Sequence, residues 1–256
     1  NRRQFLSQAS VAAAWATTGC SLWPAKERDR SFQISLAEWS YHKALFGKKM
    51  THMDLPIVAR RTHDLDGIEL VNQFFKDQVK NTGYLKEFKD RADSEGVRCL
   101  LIMCDGEGNL GAPQEAARAK TVENHLKWLD AAALLGCHSI RVNAASDAKL
   151  PADEQAKLAA DGLHRLCVEG DKRGQWVVVE NHGGLSSNGK WLTQVMKLAD
   201  HKRVGILPDF GNFYTDRAKS EMYNPYQGLR EFMPWVKEGM SAKSYDWDTG
   251  AGKFYT

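Results

Sequence analysis

The most informative stretch of the chain is an apolar run that ends in polar residues. Trp176 and three valines are followed by Glu180, Asn181 and His182, and then by Gly183 and Gly184. A β-branched run without a polar face is typical of a strand that is covered on both sides in a parallel sheet. Paired glycines let the backbone turn away after it. Because ligands bind at the carboxyl ends of parallel strands, we expect a functional site at this end.

Similar short apolar segments recur along the chain and alternate with helical patterns. Helical spacing of apolar residues and terminating glycines such as Gly96 and Gly136 mark the helices. The pattern predicts helices over residues 54–65, 84–95, 113–135, 151–173, 190–199 and 226–235. It predicts strands over residues 32–39, 67–72, 97–105, 139–143, 176–182, 204–209 and 240–246.

Alternation of strands and helices predicts an α/β protein, either an open doubly wound sheet or a closed (β/α)₈ TIM barrel. No strand is followed by the glycine-rich dinucleotide-binding motif. Polar residues lie at the ends of most strands and are not concentrated at a single switch point of the sheet. This favours the barrel. Only seven strands are found by Thr256, so the prediction is a TIM barrel that is C-terminally truncated after the seventh strand.

The first residues are typical of an export signal rather than of the barrel. Arg2 and Arg3 precede a hydrophobic pair, and an alanine-rich segment follows from Ala9 to Ala16. This order predicts a twin-arginine export leader over residues 1–22, with a short amphipathic surface helix as the alternative. Cys20 is a possible lipoprotein site and the only predicted membrane anchor. Residues 23–31 are predicted to be a linker, and residues 32–256 to form the incomplete barrel.

Charge and cysteine content narrow the possible partners. The formal net charge of the 256 residues is +3, and no stripe of lysine or arginine is present. This argues against a nucleic-acid partner and favours a small-molecule substrate. The cysteines lack metal-ligand spacing, and we expect four of them to pack as small hydrophobic core residues: Cys99, Cys104, Cys137 and Cys167.

Strand ends supply the candidate chemistry. Glu180 and His182 share a face with Val178, and Asp209 ends the sixth strand. Two carboxylates on adjacent strands suit Mn²⁺ or Mg²⁺, and a histidine ligand would also allow Zn²⁺ or Co²⁺. The alternative is a structural network in which the carboxylates pair with Arg141 or Lys243. We predict substrate contacts from other residues near strand ends: His42, Glu69, Asp105, Arg141, Asn143 and Asn212.

Four motifs resemble the xylose isomerase-like TIM barrel superfamily, and more closely its exported "sugar phosphate isomerase/epimerase" branch. They are residues 68–72, 180–184, 207–212 and 241–246. The resemblance implies a divalent metal held by Glu180 and Asp209, with Ser241 where the family has a histidine ligand and Asn212 where it has a substrate-binding histidine. It also implies another ligand, a glutamate after strand eight, beyond Thr256. His182 is our candidate to compensate for these missing ligands.

The resemblance also implies a mechanism. A metal-bound sugar carbonyl would lose a neighbouring proton to a carboxylate, here Glu180, with Lys243 as the second acid/base or as a clamp on the oxyanion. We therefore predict an exported enzyme that isomerises, epimerises or eliminates a free, oxidised or glycosidic sugar. The alternatives are a non-catalytic sugar-binding lipoprotein and a metallonuclease of the endonuclease IV type, which the modest charge disfavours.

Overall fold

The computed structural model describes residues 32–243. The predicted leader and linker (residues 1–31, including Cys20) and residues 244–246 of the predicted seventh strand lie outside this range. Residues 34–243 belong to one compact unit, which begins at Ile34. Within residues 32–243, no helix is both long and apolar enough to cross a bilayer.

Six strands form one parallel sheet, paired in chain order from the first to the sixth. Each strand pairs with the next after an intervening helical segment, which is the repeating unit of a TIM barrel. The predicted fold class is confirmed. The strands are β1 (Leu36–Ala37), β2 (Gly67–Val71), β3 (Arg98–Met103), β4 (Ser139–Val142), β5 (Trp176–Glu180) and β6 (Val204–Leu207).

Helices connect these strands, and several begin where an asparagine side chain caps the first turn. Asn81, Asn188 and Asn224 each accept a hydrogen bond from the backbone N–H three residues later. The α-helices are α1 (His42–Phe46), α2 (Leu55–Ile57, continued as a π-helix over Val58–Thr62), α3 (Thr82–Ser94), α4 (Glu115–Leu135), α5 (Ala152–Asp171), α6 (Gly189–Ala199) and α7 (Pro225–Phe232). Single turns of 3₁₀-helix lie at Glu38–Tyr41, His52–Asp54, Asn72–Phe74, Lys76–Gln78, Gly184–Ser187 and Met233–Trp235.

The valine run of β5 is buried on both faces, as its sequence predicts. Val177 and Val179 belong to the large core between sheet and helices. Val178 belongs to a smaller cluster on the other face of the sheet. Side chains alternate along a strand, so Glu180 shares the inner face with Val178. The inner cluster consists of Val71, Leu101, Met103, Val178 and Leu207.

The predicted cysteine environments also agree with the structure. Cys99, Cys104, Cys137 and Cys167 are buried, and none of these four forms a disulfide. Burial raises the pKa of Cys99 and Cys167 to about 12 and that of Cys104 and Cys137 well above its usual value. These thiols therefore pack as hydrophobic groups.

Two regions differ from the prediction. The first strand is limited to Leu36–Ala37, because the chain enters a 3₁₀-helix at Glu38. After β6, a two-stranded antiparallel hairpin, β7 (Tyr214–Asp216) and β8 (Glu221–Met222), was not predicted. The segment predicted as the seventh barrel strand lies beside β6, where two parallel bridges pair Val236 with Ile206 and Ser241 with Asp209. The first of these bridges lies four residues before the predicted start of that strand at residue 240.

Candidate functional site

Two buried carboxylates stand at the ends of adjacent strands. Glu180 is the last residue of β5 and is 3% exposed, whereas Asp209 follows β6 and is fully buried. The amide of Asn181 fixes their spacing: its Oδ1 accepts from Asp209 N at 2.7 Å, and its Nδ2 donates to Asp209 O at 2.9 Å and to Asn212 O at 2.8 Å. Asn181 thus braces the two strand ends against each other.

Asn72 forms a similar brace between the ends of β2 and β3. Its Nδ2 donates to Asp105 O at 2.8 Å, and its Oδ1 accepts from Asp105 N at 3.1 Å. In both braces, an asparagine that follows one strand holds the backbone of an aspartate that follows the next strand. The side chain of Asp105 accepts from Arg141 Nη1 at 2.7 Å and from Asn143 Nδ2 at 2.8 Å.

Two cations neutralise the carboxylates. Arg141 is buried in β4, and its Nε lies 2.7 Å from Glu180 Oε2. This contact does not have the geometry of a hydrogen bond and is therefore an ion pair. Lys243 Nζ lies 2.5 Å from Asp209 Oδ2 and 3.7 Å from Glu180 Oε1. Glu180 and Asp209 thus pair with the two cations that the sequence analysis named, Arg141 and Lys243.

We call the group of Asp105, Arg141, Glu180, Asp209 and Lys243 the strand-end cluster. Burial alone would raise the pKa of Glu180, but the Arg141 guanidinium and the neighbouring Asp209 outweigh burial and hold that pKa below its ordinary value. For Asp209, burial and then the Glu180 carboxylate raise the pKa to about 7. Separate pKa values suit one carboxyl to accept a proton and the other to donate one near neutral pH.

Other predicted site residues lie at different distances from the strand-end cluster. Asn212 joins it directly, because its Nδ2 donates to Glu180 Oε1 at 3.0 Å. Glu69 is on the inner face of β2, where it accepts from Ser35 Oγ at 2.6 Å. Burial raises the pKa of Glu69, Ser35 opposes this, and the charge of Glu180 adds to it. His42 is more remote and stacks on the Trp39 ring at 4.8 Å.

A pocket of about 590 Å³ adjoins the strand-end cluster through Asn143 and His182. The glycine pair predicted to turn the backbone forms part of its wall, and Gly183 has a φ of 100° that favours glycine. Oδ1 of Asn143 is buried and has no hydrogen-bond partner within residues 32–243. The other lining residues include Ser146, Gln155, Trp191 and Thr215.

The sequence match decides the family. Residues 58–234 match the family described as a xylose isomerase-like TIM barrel, and this range covers more than half of the chain. The chain belongs to that family. The predicted resemblance is thereby confirmed, and no curated protein is significantly similar to the chain in sequence.

Solved structures of this family of barrels have similar folds at low sequence identity. A 3-keto-D-glucoside 4-epimerase from E. coli is 19% identical, with 75% of this chain and 74% of that chain covered and a TM-score of 0.60. A D-psicose 3-epimerase determined with D-fructose is 14% identical, with 87% and 77% covered and a TM-score of 0.64. A probable 3-DHS dehydratase from Bacillus anthracis is 16% identical, with 81% and 72% covered and a TM-score of 0.61. At these identities the likeness establishes the fold.

The divalent metal implied by the xylose isomerase-like family does not fit the arrangement of the described residues. All four carboxylate oxygens of Glu180 and Asp209 already face a donor or cation: Asn212 and Lys243 at Glu180 Oε1, Arg141 at Oε2, Gly211 N at Asp209 Oδ1, and Lys243 with Ser241 at Oδ2. Across residues 32–243, no three histidine, cysteine or acidic side chains are grouped to hold a metal ion.

The metal-binding role of His182 stays a prediction. β5 stops at Glu180, and His182 lies two residues beyond the end of the strand. Burial lowers the pKa of His182 and the Glu180 charge opposes this shift, which shows that the two groups are near each other. Nevertheless, no hydrogen bond or ion pair within the described residues joins the ring of His182 to Glu180 or Asp209. His182 lines the pocket instead.

Sequence reasoning missed a buried contact between a histidine and a glutamate. His52 Nδ1 lies 2.7 Å from Glu38 Oε1, and Val71 N donates to Glu38 Oε2 at 2.7 Å. The His52 ring stacks between Phe75 and Phe88, at 4.4 and 4.2 Å. The position of Glu38 as a charged residue in a predicted apolar strand could have indicated a buried carboxylate. Nothing in the local pattern indicated that its partner is His52, which is 14 residues away.

Proposed function

We propose that this protein is a sugar isomerase/epimerase-like enzyme that moves a proton at the carbon next to a sugar carbonyl. The supporting observation is the strand-end cluster, in which Glu180 and Asp209 face the interior of a xylose isomerase-like barrel beside two cations. Related folds include sugar epimerases, which bring a carbohydrate substrate into the proposal. Carboxylates with separated pKa values are suited to acid/base catalysis.

In the proposed reaction, the Glu180 carboxylate takes the proton from the carbon beside the carbonyl. The C–H electrons move to form an enediolate, whose oxygen receives the charge. The Lys243 ammonium is the group placed to stabilise that oxygen, since it lies between the two carboxylates. Return of a proton to the opposite face gives epimerisation, return to the neighbouring carbon gives isomerisation, and loss of a leaving group gives elimination.

The pocket beside the cluster supports a sugar-sized substrate. Its volume of about 590 Å³ is within the range of small-molecule sites, and Asn143 and His182 connect it to the cluster. We propose a free, oxidised or glycosidic sugar as the substrate.

Solvent deuterium exchange tests the proposal. The full chain is incubated in D₂O with a panel of keto-sugars and keto-glucosides, and deuterium at the carbon next to the carbonyl is followed by NMR. Glu180→Gln is expected to lower exchange by about 10²- to 10⁴-fold. Glu123→Gln, which changes an exposed carboxylate of α4, is the matched control with unchanged exchange. Undiminished exchange in Glu180→Gln would exclude Glu180 as the proton carrier.

A second candidate function is sugar binding without catalysis. It is favoured by the occupation of every carboxylate oxygen of Glu180 and Asp209 by a donor or cation. A sugar that binds in calorimetry but shows no deuterium exchange would support this candidate against the enzyme.

We also propose that the chain is exported, with Cys20 as a possible lipid anchor. The proposal is supported by Arg2, Arg3 and the apolar segment that follows them in the sequence. Fractionation of cells that express the full chain with Arg2 and Arg3 both changed to lysine tests export. Cys20→Ser with labelled lipid tests the anchor. Unchanged export of the lysine variant would contradict the twin-arginine signal.

A further inference from the structure

We infer that Lys243, together with Arg141, supplies at the strand ends the positive charge that the family obtains from a divalent metal, so that the protein binds no metal between Glu180 and Asp209. The catalytic part of this inference rests on the proposed function. The part about metal binding does not, because it concerns only the contacts of the strand-end cluster.

Lys243 occupies the space between the two carboxylates. Its Nζ is 2.5 Å from Asp209 Oδ2 and 3.7 Å from Glu180 Oε1, within ion-pair distance of both groups. Its side chain is 26% exposed, whereas both carboxylates are almost completely buried. A compact ammonium at this place gives the carboxylates a counter-charge and remains accessible from the open side of the cluster.

The backbone beside β6 fixes this position. Ser241 pairs with Asp209 in a parallel bridge, with Ser241 N donating to Pro208 O at 2.7 Å and Phe210 N donating to Ser241 O at 3.0 Å. Lys243 follows two residues later, and side chains two residues apart on an extended chain point the same way. Ser241 and Lys243 accordingly both contact Asp209 Oδ2.

Arg141 closes the other side of Glu180. It lies between Glu180 and Asp105, with its Nη1 2.7 Å from Asp105 Oδ1 and its Nε 2.7 Å from Glu180 Oε2. A divalent ion between Glu180 and Asp209 would be close to two fixed positive charges and would have to displace the donors that already contact these carboxylates. Like charges at such distances repel strongly in a buried site.

Two residues of the segment beside β6 support the inference that a lysine stands in place of the metal. The resemblance places a metal-binding imidazole at position 241, and this chain has Ser241, whose Oγ is 3.4 Å from Asp209 Oδ2. The same segment carries an ammonium two residues later, directly against the aspartate. One segment thus presents to Asp209 a hydroxyl, where the resemblance implies an imidazole, and an ammonium in direct contact with the carboxylate.

Metal content and metal-dependent stability test the inference. The full chain is purified from medium that contains Mn²⁺, Zn²⁺ and Co²⁺, its metal content is measured by mass spectrometry, and its Tm is recorded with and without about 1 mM of each metal. We expect substoichiometric metal and an unchanged Tm for the wild type. The variant Lys243→Ala with Ser241→His removes the ammonium and restores an imidazole. We expect it to bind one metal ion per chain and to gain several degrees in Tm on metal addition.

The control is Lys202→Ala, which removes an exposed ammonium that pairs with Asp171 away from the cluster. It should behave as the wild type does. Stoichiometric metal in the wild type, lost on mutation of Glu180 or Asp209, would overturn the inference. So would a double variant that folds, as judged by circular dichroism, and still binds no metal, because Lys243 would then not be what excludes the ion.

Failure of the proposed function gives a different result. If no sugar undergoes exchange, the metal measurements still decide whether Lys243 fills the metal position. If exchange occurs, it should be unchanged by a chelator and lowered in Lys243→Met, which keeps the length of the side chain without its charge. Exchange that a chelator abolishes, and that added Mn²⁺ restores, would overturn the inference while it supports the proposed function.

Discussion

Two buried carboxylate clusters of this barrel differ in what surrounds them. Glu38 is fully buried, one of its oxygens faces His52 and the other accepts from Val71 N, and aromatic rings cover the pair. The strand-end cluster sets Glu180 and Asp209 side by side, where they share the partly exposed Lys243 beside a pocket. The first arrangement satisfies one charge completely. The second brings like charges together and needs cations to hold them.

This difference separates a structural from a functional use of buried charge. A carboxylate enclosed by aromatic rings cannot reach a ligand, so its contacts contribute to stability alone. Adjacent carboxylates at strand ends shift each other's pKa values. The strand-end cluster also adjoins a pocket, because Asn143 lines that pocket and bonds to Asp105. Three predictions test this distinction.

The largest expected effect is on stability, at the enclosed pair. Glu38→Ala leaves His52 and the Val71 amide without their buried partner, and each buried polar group left without a hydrogen bond costs about 1–3 kcal/mol. We expect this loss in urea denaturation, with deuterium exchange per folded molecule unchanged. Glu123→Ala, at an exposed pair with Lys120, should change stability by less than about 1 kcal/mol. A stable Glu38→Ala variant that has lost exchange would place Glu38 with the functional residues.

A smaller effect is expected from the asparagine braces. Asn181→Ala removes three hydrogen bonds that position Asp209 and Asn212, and we expect a loss of about 1–3 kcal/mol together with slower exchange. Asn72→Ala removes two similar bonds at Asp105 and should cost a similar amount of stability, with a smaller loss of exchange. Denaturation and exchange rates are measured for both. Equal exchange rates in the two variants would show that the Asn181 brace does not position the reacting groups.

The smallest expected effect concerns pH and a structural carboxylate close to the site. Burial alone would raise the pKa of Glu107, but hydrogen bonds from Lys127 and Trp128 outweigh it and hold the pKa below 4.5. The folded state therefore favours the ionised form. The stabilisation of the fold by the Glu107 carboxylate is present above pH 4.5, and it is lost as the pH falls through the lower pKa of the folded state.

Glu107→Gln is expected to be less stable than the wild type by about 1 kcal/mol at pH 7. The difference should shrink towards zero as the pH falls below 4.5, as followed by thermal denaturation between pH 3 and pH 7. A difference that is constant over this range would mean that the charge of Glu107 does not stabilise the fold.

Local periodicity made most of the fold predictable. The valine run of β5 and the polar residues after it identified a buried strand with a functional end, and the same pattern recurred at the other strands of the sheet. The hairpin Tyr214–Met222 was missed because its strands are two and three residues long and lack a sustained alternation. Strand one was overestimated, since its apolar alternation continues past the point where the backbone turns at Glu38.

Alternation along the extended backbone explains why Glu69, Arg141 and Glu180 lie on the inner face of their strands. The rule applies less directly to His182, which lies two residues beyond the end of β5. It could not show that Glu38 pairs with His52, which depends on how a 3₁₀-helix and the following loop pack against β2.

Local periodicity and short motifs were enough to predict the barrel-type alternation, the family and the polar residues at the strand ends. The pairing of charges became visible in the folded chain: Arg141 meets Glu180, Lys243 meets Asp209, and a donor or cation contacts every oxygen of the two carboxylates. The physical reason is that ion pairing depends on distances of a few ångströms between separate strands, and the order of residues along one strand does not set those distances.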